Sequence, residues 1–459
     1  MNGGQLEIHA AYGGLGAIEL GRIMSDHNLN PFTQAELLAA ALATPFKETG
    51  RAHYRSLVED ETGRSLYGEA QIADGLTWLE QLGLDQSPLD GFCLLPQYSF
   101  VIDLRFELAS PYLSRDDDAF YIIDNPVRKD KVFKVPFVAS TGWKGSLRSV
   151  ATYGMLTDFA QLLPDEPPAD ESERAALMTK LWEERARRVV LFGNEKKNDA
   201  EFLNGWLAPR LGEQADILNK NFECFLNESG YRTEKIEGRQ GRLFFFPTFF
   251  NRIGLEIINP HDRERRVGTN PILFECVPAG ATGTFRLLYV PYDFPSEVTP
   301  DKAQLRGQVQ NDLLLVGETV RDLLAFYGFG AKTSSGFGTV DPKRVTGELG
   351  VNYPDQEPES TGGPSESLVR RLLMDDPLRH RLNDNFFEAG QFVLIADDEI
   401  RQQPWGGRTK ADYRRVKPRV VEMLAQQPDD PTYLSRPVTT LIELPDLAGE
   451  LAEIVGGGS

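Results

Sequence analysis

The sequence is poor in cysteine and histidine, has no long apolar run, and is short of positive charge. Its three cysteines, Cys93, Cys224 and Cys276, lie far apart and form no CxxC pair. That argues against a disulfide scaffold or a structural zinc site. The five histidines, His9, His27, His53, His261 and His380, make no HExxH or other ligand spacing. No GxSxG elbow is present either, so zinc-hydrolase and serine-hydrolase chemistry have no support. No apolar run approaches the roughly 18 residues needed to span a bilayer, and no membrane partner is expected. The start, Met1-Asn2-Gly3-Gly4, lacks the basic-then-apolar signature of a secretory signal, so a cytoplasmic address is expected.

Bases are outnumbered, 49 to 68, giving a formal net charge of −19. Taken as an average, this disfavours nucleic acid, because phosphates bind Lys and Arg. The distribution is uneven, however. Residues 1–100 carry 13 acids and 5 bases, and residues 341–459 carry 21 acids and 14 bases. The middle, 101–340, has 34 acids against 30 bases and can hold a basic groove. The acidic flanks are expected to face solvent or basic neighbouring subunits.

What is present is ordinary globular chemistry, 41% hydrophobic and 25% charged over 459 residues, enough for two or three modules. Residues 1–95 read as a mixed extension with helical segments near 34–42 and 70–82. A strand follows: Phe100, Ile102, Leu104, Phe106 and Leu108 share one face, while Asp103, Arg105 and Glu107 oppose them. After a long irregular stretch, Ser140 and Thr141 can cap a helix through Leu156, and Lys144 and Arg148, four apart, project from one side of it. A charged helix is expected over 171–188 and a polar insertion over 195–240. Strand signals resume at 243–250, 272–277 and 282–290. Gln308–Tyr327 is amphipathic, with Leu313, Val316, Val320, Leu323, Leu324 and Tyr327 on its apolar side. Strand–loop–helix followed by strands–helix–strand suggests two βαβ-like halves in a core over 96–345. Residues 346–367, rich in Pro, Gly, Ser and acid, read as a linker before a small module, 368–459.

Two segments have phosphate-binding character. The loop Gly328-Phe329-Gly330-Ala331-Lys332-Thr333-Ser334-Ser335-Gly336 lacks the Gly before Lys-Ser/Thr of a P-loop, and it follows a helix instead of preceding one. It offers a pliable backbone, one Lys and three hydroxyls, or it is simply a glycine-rich turn. The second segment, Pro136-Phe137-Val138-Ala139-Ser140-Thr141-Gly142-Trp143-Lys144-Gly145-Ser146-Leu147-Arg148, is a helix start whose free N–H groups are reinforced by two bases, or an ordinary capped helix. Asp124, in Ile122-Ile123-Asp124-Asn125-Pro126-Val127, sits in turn chemistry and reads by itself as a cap. In the tail, Arg401, Arg408, Lys410, Arg414, Arg415, Lys417 and Arg419 gather with Trp405 and Tyr413 around a single acid, Asp412. Such a mixture suits single-stranded RNA, a solvated helix face or an acidic partner.

In this order, Ile-Asp-Asn-Pro-Val, the Pro-Phe-Val helix start, Leu191-Phe192-Gly193, Gly241-Arg242-Leu243, Phe274-Glu275-Cys276-Val277-Pro278 and the Gly328–Gly338 loop form a pattern. It resembles the RAMP superfamily of CRISPR-associated proteins, specifically the Cas-seven-like backbone subunits of type III RNA-guided effector complexes, over roughly 99–345. The resemblance implies an α+β chain with a modified ferredoxin-like (RNA-recognition-motif-like) core carrying N-terminal, internal and C-terminal additions. It implies head-to-tail assembly with other CRISPR-associated subunits along a CRISPR RNA. The guide would be held by Ser140, Thr141, Lys144 and Arg148 and by Gly328, Gly330, Lys332, Thr333, Ser334, Ser335 and Gly336.

In target-cleaving members an Asp before a small polar residue and Pro-Val is catalytic, and Asp124 matches it. The implied activity is therefore endoribonuclease cleavage of guide-paired target RNA by 2′-hydroxyl attack, assisted by a divalent metal, Mg2+, at Asp124. A non-catalytic RNA-binding scaffold of the same kind of complex is the alternative. The sequence departs from the family in Trp143, where a small residue is usual. Its glycine loop is closer to that of terminal RAMP subunits, some of which do not cleave.

Overall fold

The computed structural model describes residues 17–162, 171–193, 240–291, 302–353 and 376–457, with short breaks inside these ranges and isolated positions elsewhere. The chain separates into two compact units, residues 1–351 with 435–459, and residues 352–434.

The first unit is built on β1 (Phe100–Leu108), the central strand of a five-stranded sheet. Its alternation works as the sequence predicts: Phe100, Ile102, Leu104, Phe106 and Leu108 are buried, while Arg105 is exposed. The chain then runs through β2 (Phe137–Val138), α5 (Ser140–Leu162), α6 (Glu171–Phe192), β3 (Leu243–Phe245), β4 (Thr248–Phe249), β5 (Gly254–Ile258), β6 (Ile272–Cys276) and β7 (Thr282–Tyr289). Helix α7 (Lys302–Asp322) and strand β8 (Val340–Val351) complete the core, and β9 (Leu434–Val438) and α9 (Leu444–Gly456) come last.

Strand order in the sheet is β9-β8-β1-β7-β3, with β1 antiparallel to both β8 and β7, and β7 antiparallel to β3. Without the added edge strand β9, this is a β-α-β-β-α-β core whose fourth, first, third and second strands lie side by side, the ferredoxin-like arrangement. The α+β expectation therefore holds in topology as well as in class.

Three expectations about organisation change. The residues 17–95 are part of the first unit. Helices α1 (Ala17–Ser25), α2 (Pro31–Leu38), α3 (Lys47–Val58) and α4 (Ala73–Gln81) are elements of that unit, and α3 packs against β5. The expected linker over 346–367 begins too early, because β8 continues to Val351 with Val345, Leu349 and Val351 buried. Nor is 368–459 one module. Its last segment returns to the first unit, adding β9 to the sheet and laying α9 along α7.

Most of the 195–240 insertion lies outside the described residues. Two of its positions, Phe222 and Leu226, are buried together with Ala186 and Val189 of α6. The second unit has a separate core of Val369, Leu373, Phe386, Phe392, Ile400, Tyr413, Val416 and Val420. Its helix α8 (Gly407–Gln426) supplies Tyr413, Val416 and Val420 at helical spacing.

Candidate nucleic-acid interface

The loop that carries Asp124 is held by a buried carboxylate. Glu275 is the penultimate residue of β6, with a fully buried side chain, and it accepts hydrogen bonds from the Tyr54 and Tyr121 hydroxyls and from the Val127 N–H, the last at 2.9 Å. It also forms an ion pair with Lys129, itself only 7% exposed. The Glu275 N–H donates to the Asn125 carbonyl at 3.0 Å. One residue of β6 thus binds the loop on both sides of Pro126.

Burial, with the Glu275 charge next in size, pushes the Tyr54 and Tyr121 hydroxyls well above the usual phenol range, so both remain donors. Lys129 also stands over the Tyr121 ring at 4.5 Å. A negative charge inside an apolar strand, Ile272-Leu273-Phe274-Glu275-Cys276, is the sequence signal that marks this centre, because a buried carboxylate requires partners.

The N-terminal helices clamp the same loop. Arg51 of α3 donates from Nη2 to Asp124 Oδ2 at 2.5 Å and from Nε to the Ile122 carbonyl at 3.4 Å. Gln71 donates to the Phe133 carbonyl at 3.0 Å, and Lys134 lies over the Phe32 ring at 4.2 Å. The Asp124 side chain remains 53% exposed, so one face is open to solvent although Arg51 holds one of its oxygens.

The predicted helix start is anchored by Trp143, the residue that departs from the family pattern. It is fully buried, its Nε1 donates to Thr248 Oγ1 at 2.9 Å, and its ring lies edge-on to Phe285. It also packs on Phe329 at a centroid distance of 4.5 Å. Phe329 belongs to the glycine loop, so the two segments expected to hold phosphates adjoin. Ser140 is not the cap: the Ala139 carbonyl accepts from Gly142 and Trp143, which places Ser140 at the first helical position. Thr141 is exposed, while Ser140, Lys144 and Arg148 are half-buried. Arg148 is partly committed within the fold, donating to the Phe192 carbonyl at the end of α6 at 2.9 Å.

In the glycine loop, Gly328, Gly330, Lys332 and Gly336 all adopt positive φ. The Phe329, Ala331 and Gly338 amides donate to the Gly338, Leu113 and Pro111 carbonyls, so these N–H groups are used inside the fold. Lys332, Ser334, Ser335 and Gly336 are exposed, and Thr333 is half-buried. Lys332 Nζ lies 5.5 Å from the centre of the Phe274 ring. Phe274 precedes Glu275 and pairs with Asn125 of the Asp124 loop in an isolated bridge. The three segments chosen from the sequence therefore meet: β6 joins the Asp124 loop to the glycine loop, and Phe329 joins the glycine loop to the helix start.

The profile of the RAMP superfamily matches residues 105–341. The chain belongs to the RAMP superfamily. That match takes in the Asp124 loop, the α5 start and the glycine loop, three segments of this RAMP protein that the sequence singles out. No curated protein matches it. Among solved structures it is similar to a chain of the type III-B Cmr-beta bound to cognate target RNA, studied by cryo-EM, at 13% identity and a TM-score of 0.34. That similarity covers 72% of this chain and 98% of the other.

Among the described residues, no three His, Cys, Asp or Glu side chains gather as a metal-binding group. A protein-held magnesium ion needs an octahedron of oxygens, usually with one or two carboxylates among them. Asp124 offers one carboxylate, and one of its oxygens is on Arg51. The described residues do not build a site for the divalent ion that the resemblance implies. No helix among them is long and apolar enough to cross a membrane.

Proposed function

We propose that this RAMP protein is a guide-RNA-binding backbone subunit of a type III effector complex, assembled head to tail with other CRISPR-associated subunits, and that it cleaves guide-paired target RNA at Asp124. One observation carries the reading. A half-exposed Asp124, in the motif position of the cleaving members, stands on a loop joined through β6 to the exposed Lys332 and hydroxyls of the glycine loop.

The chemistry needs little from the protein, because the nucleophile belongs to the substrate. The target's 2′-hydroxyl gives up its proton to water as its oxygen attacks the adjacent phosphorus in line, the bond to the 5′-oxygen breaks as that oxygen takes a proton from water, and a 2′,3′-cyclic phosphate and a 5′-hydroxyl result. Asp124, rigidly presented by the Glu275 centre, accepts a hydrogen bond from the 2′-hydroxyl and turns it toward the phosphorus; positioning supplies much of the rate. DNA, which lacks that hydroxyl, is resistant. A cation at this step would be held by RNA phosphate and water, since the protein provides one carboxylate.

A non-catalytic scaffold is favoured by a different observation, the Arg51–Asp124 bond, which gives Asp124 a purely structural employment. Asp124→Ala in the complex purified through this chain, scored at each cut in a guide-matched target RNA, separates the two. Loss of cuts with intact assembly is the expected result. Survival of every cut assigns Asp124 to the structure.

A further inference from the structure

We propose that the second unit carries its own nucleic-acid contact, the exposed face of α8, which binds the RNA phosphate backbone without reading sequence.

Of the seven tail bases singled out in the sequence, the six that lie on α8 divide into two sets. Lys410 donates to the Arg401 carbonyl at 3.0 Å and Lys417 to the Ile395 carbonyl at 2.7 Å. Arg419 bonds Asp376 and Glu422, each at 2.8 Å. These three are committed inside the unit. Arg408, Arg414 and Arg415 are exposed and make no such bonds, and the acids of α8 are neutralised by other groups: Asp412 pairs with Arg381 at 2.7 Å and Glu422 with Arg419. The outward charge of the helix is therefore positive in a chain of net charge −19.

This arrangement works against helix stability. Arg408 lies in the first turn, which contains no acid, where a cation opposes the helix dipole by about 0.3–1 kcal/mol. Lys410 with Arg414, and Arg415 with Arg419, are like-charged neighbours four apart, each unfavourable by a few tenths of a kcal/mol. A merely solvated face would carry mixed signs, as α7 does with Arg306 and Arg321 against Glu318 and Asp322. Charge kept where it costs local stability points to a ligand.

The chemistry of the face selects that ligand. Between Arg408 and Glu422 the exposed residues are Arg408, Ala411, Arg414, Arg415, Pro418, Val421 and Glu422, with a single valine and no aromatic or long apolar side chain to anchor a protein partner. Tyr413 is fully buried and Trp405 packs on it at 5.1 Å, so the base-stacking platform that the sequence offered is consumed by the core. Arginine forks without aromatics contact phosphates, which every RNA sequence presents.

The inference extends the RNA-binding reading but does not depend on Asp124. Its test measures binding of the full chain to a 40-nucleotide RNA of arbitrary sequence by fluorescence anisotropy across a KCl series. Three proteins are compared: wild type, Arg408→Gln/Arg414→Gln/Arg415→Gln, and the same positions changed to Lys. Losing three single-strand phosphate contacts lowers the slope of log K against log salt by about 2. The Gln variant is expected to show that drop on two unrelated RNA sequences, with an unchanged melting temperature, and the Lys variant to keep most of the slope. An unchanged slope in the Gln variant overturns the inference, as does a normal slope combined with loss of a copurifying acidic protein. Absence of RNA binding by the wild-type chain overturns the RNA-binding reading itself.

Discussion

Replacing Glu275 by Gln should release the Asp124 loop, and adding Lys129→Met should then cost little more. The carboxylate accepts from Tyr54 and Tyr121 on one oxygen and from Val127 and Lys129 on the other. An amide has one acceptor oxygen, so either orientation aims its NH2 at two donors. It also leaves the Lys129 ammonium buried without a counter-charge. Breaking a buried ion pair from one side costs about 3–5 kcal/mol. Lys129→Met leaves Glu275 with three neutral donors and should cost less, about 1.5–3 kcal/mol for the lost charged hydrogen bond.

The double variant removes both charges together, so its cost should fall short of the sum by about 2 kcal/mol, well outside the roughly 0.5 kcal/mol expected of independent sites. Hydrogen exchange of a peptide spanning 121–129 reads the effect directly, because the Val127 amide is one of the donors. Additive costs, or unchanged Val127 protection in Glu275→Gln, would refute the assignment of Glu275 as the anchor of this loop.

Burial pushes the Asp312 carboxyl up to about 6, against the pull of Arg242. Between about pH 4 and 6 the folded state therefore holds a proton that the unfolded state has released, and stability falls as pH rises through this window, by at most about 3 kcal/mol. Urea midpoints for wild type and Asp312→Asn across pH 4–7 should diverge in slope there, and parallel curves would contradict it. In the glycine loop, Gly330→Ala should destabilise more than Gly336→Ala. Both positions have positive φ, but an added methyl at 330 meets the Leu113 carbonyl at 2.4 Å, whereas 336 faces open space. Equal shifts in thermal midpoint would mean that backbone conformation alone matters.

Much of the core was readable because its patterns are local. The alternation of Phe100–Leu108 and the buried stripe Leu313, Val316, Val320, Leu323 and Leu324 are what a half-buried strand and an amphipathic helix require, although Tyr327, expected on that stripe, is 45% exposed. Errors arose where a residue's reason lies far away in sequence. The Pro, Gly, Ser and acid that follow Val351 give the whole of 346–367 a linker composition, yet Gly347 is in β8, where a side chain would strike the Asp103 carbonyl at 2.0 Å on the neighbouring strand. Tyr413 looked available for stacking because it stood among arginines. Its spacing to Val416 and Val420 already placed it on the apolar face. Asp124 stands in Asp-Asn-Pro turn chemistry, and nothing local announces its partner Arg51, 73 positions away.

That distance bears on what charge arithmetic can decide. Residues 1–100 have 13 acids against 5 bases, and such a flank was expected to face solvent or basic neighbouring subunits. Yet Arg51 reaches Asp124 from this flank, Tyr54 reaches Glu275, and Gln71 holds the Phe133 carbonyl. Electrostatic action at a site falls off within about 10 Å at ordinary salt, so one guanidinium in contact outweighs a dozen distant carboxylates. The net charge of a segment therefore bears on its solubility and long-range steering, while the loop answers to the few groups that touch it. Asp124 is presented by a buried carboxylate behind the loop and a guanidinium beside it. The flank that the averaged charge would dismiss supplies the guanidinium.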